Sequence, residues 1–421
     1  MKSIVWFCYA SVTTEGKLKA ASWIVAAAEN LLNAGHDLVL ISPGIEQGQK
    51  TADCGCVVYT VAAEMKNSRK ISEKMIQAVC DILTRLQPDV FQIFGTEFSN
   101  YLGAGLAAQR AGVLDKTAVW IQGVCKKIGE HYCDGLPGRE IRRFTFRDLL
   151  RLDNIYLQKQ KFLQRADNEA RLLKLAGHAI GRTAWDRACV AEIAPGTTYH
   201  HCSEMLRSAF YANTWDRQQC VSYRLFMCQS DYPIKGLHVL LRALPRILEQ
   251  YPQTVLYISG ENLLEQNGVR GTLAKQSYAV YLQKLIRAWN LHDHIVFTGY
   301  LTAQEMVDQY RSAHVYILPS MVENSPNSLG EAMMLGMPCV AASTGGIPSM
   351  LENDREGILY DRTDEAALAA AVIKMFSDDN LAMMLGRNAR SRACSTHDPK
   401  LAMDTLLRIY DEIGGISHAS Q

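Results

Sequence analysis

No run of about 18 consecutive apolar residues occurs in this chain of 421 residues, so no segment reads as a membrane-spanning helix. The short apolar run after Lys2 is followed by no small-residue cleavage site and reads as a first strand rather than a secretory leader. The twelve cysteines are scattered and, apart from Cys54 and Cys56, none stand close together. That pattern fits neither a disulfide framework nor paired zinc knuckles, so reduced thiols and a cytoplasmic location are the simplest expectation. Charge of one sign is also missing: a net charge of +1 gives no global reason to expect nucleic acid as a partner. There is no low-complexity tract and no repeat of solenoid period.

What is present is ordinary globular material, 48% hydrophobic and 21% charged. The length exceeds what one hydrophobic core usually serves, which predicts two domains of roughly 200 residues each. Short β-rich runs recur between amphipathic stretches at 4–9, 38–41, 57–61, 90–94 and 119–121, then again at 224–228, 255–258, 295–297, 315–318, 339–342 and 358–360. That rhythm predicts two α/β domains with parallel sheets, Rossmann-like and in tandem. The first is placed at 1–212 and the second at 222–395, with a linker at 211–219 and an amphipathic last helix at 399–413. Thr302 with Glu305 makes a capping box, and Asp364 opens an Ala-rich helix. Ligands of open α/β sheets bind beyond the carboxyl ends of strands, so loops that follow strands carry the weight, and a cleft between the domains is the expected site.

One such loop runs from Pro319 through Glu323, Asn324 and Ser325 to Glu331. Ser325 as N-cap with Pro326 at the first helical position would start a helix, whose free N–H groups and dipole favour an anion such as phosphate. Carboxylates flanking an anion site are suited to accept hydrogen bonds from sugar hydroxyls on either side of a pyrophosphate. A solvated loop glutamate plus a helix-supporting glutamate is the bland alternative. Downstream, Gly345-Gly346 follow a strand and allow close backbone approach. Upstream, Lys235-Gly236 precede the helix beginning at Leu237, another anion-binding arrangement.

Taken in order, Lys235-Gly236-Leu237-His238-Val239-Leu240, Phe297-Thr298-Gly299, Glu323 and Glu331 with seven residues between them, and Gly345-Gly346 resemble the retaining GT-B glycosyltransferases of family 4. The resemblance implies two Rossmann-like domains facing across a cleft and a nucleotide-diphosphate sugar as donor. It implies a glycan or lipid-linked acceptor, no metal, no other cofactor and no nucleic acid. Lys235 would contact the donor pyrophosphate, Glu323 the sugar hydroxyls and Glu331 the ribose, with backbone N–H groups near Asn327 and Ser328 holding the phosphates. Gly16, Gln229, Gly236, Gly299 and Asn324 complete the implied donor set. The chemistry would be a single front-face displacement in which a donor phosphate oxygen takes the acceptor proton.

The pattern departs in places. An arginine five or six residues before the lysine is replaced by Ser230 and Gln229, and a neutral amide stabilises developing charge less well than a guanidinium. Paired glycines after the first strand are reduced to Gly16. Gln122, ahead of Gly123, stands where a histidine is common, and Ser349 replaces a glutamate. Gln122, Gly123 and Arg182, which follows a short strand at 178–180, are candidates for the acceptor side or cleft. Between 139 and 165 eight basic residues outnumber three acidic ones and interleave with Phe144, Phe146, Leu149, Leu150 and Leu152, a pattern that suits peripheral contact with an anionic membrane. His200, His201, Cys202 and Glu204 lack metal-site spacing. An epimerase on the same scaffold and a non-catalytic nucleotide-sugar-binding subunit are the alternative functions.

Overall fold

The β-rich runs become the strands of two sheets in a computed structural model, which describes residues 1–63, 70–262 and 275–415. Contacts divide the chain into two units. Unit 1 comprises Met1–Lys126, Leu163–Leu206 and the described residues from His397 on; unit 2 comprises Lys127–Phe162 and Arg207–Thr396.

The strands of unit 1 are β1 (Ser3–Phe7), β4 (Asp37–Gly44), β5 (Gly48–Thr51), β6 (Val57–Ala62), β7 (Val90–Phe94), β8 (Thr117–Trp120), β9 (His178–Gly181) and β10 (Thr198–His201). They pair in the order β10-β9-β8-β7-β1-β4-β6-β5, parallel throughout except for β5 against β6. A short hairpin, β2 (Ser11–Val12) with β3 (Leu18–Lys19), stands apart. All five residues of β7 are buried, as expected of a strand covered on both faces. The helix Pro399–Ile413 closes this unit: Trp6 Nε1 donates to Tyr410 Oη at 2.9 Å, and Tyr410 Oη donates to Gln92 Oε1 at 2.6 Å. The Trp6 indole N–H and the Tyr410 hydroxyl are thereby paired inside the core, which avoids the cost of leaving those donors unpaired.

Among the described residues unit 2 has six strands: β11 (Arg224–Cys228), β12 (Val255–Ser259), β13 (Ile295–Gly299), β14 (Val315–Leu318), β15 (Cys339–Ala342) and β16 (Ile358–Tyr360). Their order is β13-β12-β11-β14-β15-β16, all parallel. Counted from β11 this is 3-2-1-4-5-6, the doubly wound Rossmann order, whose topological switch point falls between β11 and β14. Helix starts follow the local chemistry. Thr302 and Glu305 form the reciprocal capping box, and Asp364 accepts from the amides of Ala366 and Ala367.

Two segments are tied to unit 2 by contacts that the sequence does not show. The segment 127–162 is counted with unit 2, because its polar groups are satisfied there. Ser277 N donates to Asp148 Oδ2 at 2.8 Å, His238 and Arg242 reach the carbonyls of Asp134 and Gly135, and Lys284 pairs with Glu140 at 2.7 Å. The stretch 211–219 is no free linker either. Trp215 is buried, its backbone N donates to Leu335 O and its Nε1 to Ala313 O, both at 2.7 Å.

Candidate functional site

Three loops of unit 2 leave the carboxyl ends of β11, β14 and β15, on either side of the switch point, and are tied by their backbones. Met321 N donates to Ile234 O at 2.7 Å and Gly346 N to Glu323 O at 2.9 Å, while Thr344 Oγ1 donates to Met321 O at 2.8 Å. Two glycines make this closeness possible. A Cβ on Gly236, whose φ is +74°, would lie 1.7 Å from Pro319 O; one on Gly345, whose φ is +56°, would lie 2.0 Å from Glu323 O. Any side chain there would push the loops apart.

Within this frame Lys235 Nζ lies 2.8 Å from Glu323 Oε1, and Ser320 Oγ donates to the same oxygen at 2.9 Å. Among the described residues no hydrogen bond reaches Glu323 Oε2, which therefore remains open to a hydroxyl donor. Burial pushes the Lys235 ammonium toward neutrality, but the Glu323 charge and hydrogen bond outweigh it, and its pKa is raised above the ordinary lysine value. The lysine stays charged.

The following helix is Asn327–Leu335, with Pro326 as N-cap and no side chain capping it. It begins one residue later than the sequence suggested, so Ser325 is not the cap and Pro326 is not inside. The Pro326 carbonyl receives the amides of Leu329 and Gly330 at 3.0 and 3.2 Å, and half-buried Asn327 and Ser328 form the first turn at the positive end of the dipole. Asn324 is buried beside this start. Tyr310 Oη donates to Ser328 O at 2.8 Å and fixes the first turn.

Glu331, one turn further along, is 4% exposed and held by a residue the sequence reading did not single out. Arg207 Nε donates to Glu331 Oε1 at 2.7 Å and Nη2 to Oε2 at 2.8 Å. Burial raises the Glu331 pKa and the Arg207 hydrogen bonds and charge oppose it, leaving it above the ordinary value. Gln229 adopts the left-handed region with φ +59°, a conformation that costs a non-glycine residue about 1–2 kcal/mol. Its amide is held by Ser259 O at 2.9 Å. Ser230 is buried with its hydroxyl unpartnered, so neither position supplies a cation. Gly299, at φ +75°, receives Gly260 N on its carbonyl at 2.9 Å.

The unit 1 candidates form a separate group. Gln122 Nε2 donates to Glu204 Oε1 at 3.1 Å, Arg182 Nη1 lies 2.6 Å from Glu204 Oε2, and Arg182 Nη2 donates to Gln122 O at 3.2 Å. Glu204, weighed in the sequence only as a metal ligand, thus joins Gln122 to Arg182 in a buried ion pair. Arg182 is itself buried, and its charge is spent on this pair rather than presented to solvent. Gly123 O accepts from Thr96 Oγ1 at 3.3 Å, and the same hydroxyl lies 2.7 Å from the buried Glu169 Oε1, which also receives Cys125 N at 3.1 Å. Gly16 belongs to this unit too, in the turn between β2 and β3. Its φ is +83°, a Cβ would meet the Asp53 carboxylate at 2.1 Å, and this turn accounts for the glycine. Among the described residues no group of three or more His, Cys, Asp or Glu is arranged to hold a metal ion.

Residues 222–392 match the model of a family described as glycosyl transferases group 1. D-inositol 3-phosphate glycosyltransferase of Corynebacterium jeikeium is 28% identical over 196 residues, 45% of this chain and 43% of that protein. The chain thus spans less than half the length of this curated relative. Among solved structures, sucrose-phosphate synthase from Thermosynechococcus elongatus superposes with a TM-score of 0.73 at 15% identity, covering 99% of this chain and 100% of that one. Anabaena HepE in complex with UDP-glucose superposes with a TM-score of 0.68 at 15% identity, covering 97% and 100%.

Proposed function

The chain carries the glycosyl transferases group 1 domain in its second unit and has the GT-B fold of two Rossmann-like domains, and on that premise we propose that it is a retaining, metal-independent glycosyltransferase of family 4 that uses a nucleotide-diphosphate sugar. The observation that carries the reading is the Lys235–Glu323 pair at the β11/β14 switch point, beside an uncapped helix start. A pyrophosphate at that start would meet the amides of Asn327 and Ser328 and the Lys235 ammonium. Glu323 Oε2 would accept from a sugar hydroxyl and Glu331 from the ribose. The solved relative bound to UDP-glucose supports this class of donor.

In the proposed reaction the bond from the anomeric carbon to the diphosphate oxygen breaks while an acceptor hydroxyl attacks from the same face. Its proton passes to the departing phosphate oxygen, so no protein nucleophile is required. Negative charge grows on the nucleoside diphosphate, where Lys235 and the helix amides act. The test is to follow the released or transferred sugar by NMR, starting from an α-linked donor and with a chelator present. The α-anomer formed at an unchanged rate is expected. A β-product contradicts retention, and inhibition by the chelator contradicts metal independence.

The acceptor is proposed to be a glycan or lipid-linked molecule at an anionic membrane. The support is a set of exposed apolar side chains, Phe144, Phe146, Leu149, Leu150, Leu152 and Tyr156, interleaved with exposed Arg139, Arg142 and Arg151. Other bases nearby are neutralised locally, Arg143 by Glu140 and Lys161 by Asp153. Apolar side chains entering the headgroup region and arginines meeting lipid phosphates is the signature of an interfacial surface. Co-sedimentation with phosphatidylglycerol vesicles at low salt, but not with phosphatidylcholine vesicles, is expected; equal absence from both contradicts membrane contact.

A further inference from the structure

Glu331 is one of two carboxylates in the site, yet its surroundings differ from those of Glu323. Glu323 meets a point charge on one oxygen. Glu331 meets the planar fork of Arg207 on both. A bidentate pair of this kind fixes the plane of a carboxylate as well as its charge. The guanidinium is fixed in turn by lying over the Phe210 ring at 4.8 Å, and Phe210 is fully buried with its ring edge-on to Tyr310 at 5.6 Å. The chain from Tyr310 through Phe210 to Arg207 therefore sets where the Glu331 oxygens point.

A carboxylate offers about four lone-pair positions. Arg207 uses one on each oxygen, and among the described residues nothing else donates to either. One position per oxygen is left, which matches the two neighbouring hydroxyls of a ribose. We propose, resting on the donor-site reading above, that Arg207 is a positioning residue for nucleotide recognition: it orients Glu331 so that its free lone pairs accept both ribose hydroxyls, and it thereby makes the site prefer ribonucleotides over 2′-deoxyribonucleotides.

Arg207 has a second consequence for the same contact. The ionisable groups facing the Glu331 carboxylate are Arg207, Tyr310 and Cys228. Burial holds Tyr310 and Cys228 in their neutral forms, so Arg207 alone supplies positive charge there. Without it a carboxylate buried to this degree takes up a proton more readily and loses part of its accepting capacity. The ribose contact then weakens as pH falls.

The test measures, by calorimetry, binding of UDP, GDP and ADP and of their 2′-deoxy counterparts to wild type, Arg207→Met, Arg207→Lys and Glu331→Gln, between pH 6 and 8. Wild type is expected to prefer whichever ribonucleotide it binds by about tenfold over the deoxy form, the equivalent of one hydrogen bond to a charged group. Arg207→Met removes that preference while binding the deoxy form within about twofold of wild type, and its ribonucleotide affinity falls as pH falls. Arg207→Lys restores the flat pH profile but only part of the preference. Equal losses for both nucleotides in a folded Arg207→Met, or no loss at all, overturn the proposal. Wild type binding both forms equally overturns the ribose role of Glu331, and wild type binding no nucleotide overturns the donor-site reading itself.

Discussion

Lys235 and Glu323 lie 88 positions apart in the chain and 2.8 Å apart in space, joining the loop after β11 to the loop after β14 across the switch point of the second sheet. The pair is electrically balanced without a ligand. In the proposed reading, a pyrophosphate at this helix start would bring the excess negative charge that the ammonium and the first-turn amides would meet. Because Glu323 has an oxygen to spare, it need not leave the lysine to accept a hydroxyl.

Replacement of Lys235 by alanine removes the side-chain cation that, among the described residues, the loops after β11, β14 and β15 place beside Glu323. Loss of about 3 kcal/mol of transition-state stabilisation is expected, roughly 100-fold in kcat, because removing one preorganised donor to a developing charge costs that much. Steady-state kinetics with a saturating donor measures it. Unchanged turnover would remove Lys235 from the mechanism.

Replacement of Gly345 by alanine places a Cβ against Glu323 O and strains a left-handed backbone. The expected cost is at least about 2 kcal/mol of stability, read as a lower urea midpoint. The fold's remaining donor binding should also weaken, since Glu323 moves with its carbonyl. A Gly345→Ala variant with wild-type stability and donor affinity would show that the two loops are not locked together.

Glu169 gives unit 1 a pH dependence of defined sign. Burial, only partly offset by the hydrogen bonds of Thr96 and Cys125, raises its pKa from 4.5 to about 7. The native state keeps the proton that the unfolded state releases, so stability is lost as pH rises from 4.5 to 7. The loss amounts to about 3 kcal/mol at 1.36 kcal/mol per unit. Glu169→Gln should be flat across this window. Parallel pH profiles of unfolding free energy for wild type and variant would contradict the assignment.

His238 acts with the opposite sign in unit 2. Burial, followed by the Arg242 charge, lowers its pKa to about 3, while its Nε2 donates to Asp134 O at 3.0 Å and its Nδ1 accepts from Tyr278 at 3.2 Å. The unfolded state gains a proton that the native state refuses, so stability present above pH 6.5 is lost as pH falls toward 3. The loss approaches about 1.4 kcal/mol per pH unit within that window. His238→Gln can keep both hydrogen bonds and should lose this slope. Equal acid sensitivity of wild type and variant would show that His238 is not responsible.

Strands with mostly buried side chains, such as 90–94, 224–228, 315–318, 339–342 and 358–360, were legible to the residue because short, largely apolar runs between turns allow little else. The edge strand Gly48–Thr51 was not, since all four of its residues are exposed and only its backbone pairing makes it a strand. Nor was the attachment of 127–162, which depends on partners as distant as Ser277 and Lys284. In the candidate site, Lys235, Glu323 and Glu331 could be singled out through spacing that survives without structure. Arg207 stands 124 positions from its partner and carries no local pattern. Glu204 stands beside a His-His-Cys run that lacks metal-site spacing, and its partners Gln122 and Arg182 are distant in the chain.

The central claim is that the β11/β14 switch point binds a nucleotide-diphosphate sugar through Lys235 and Glu323. Its most direct measurement is nucleoside diphosphate release from a panel of UDP-, GDP- and ADP-sugars by wild type and by Glu323→Ala. Release from at least one sugar by wild type, reduced by about 100-fold or more in the variant, is the predicted result. No binding and no release from any donor, or equal release by both proteins, would contradict it.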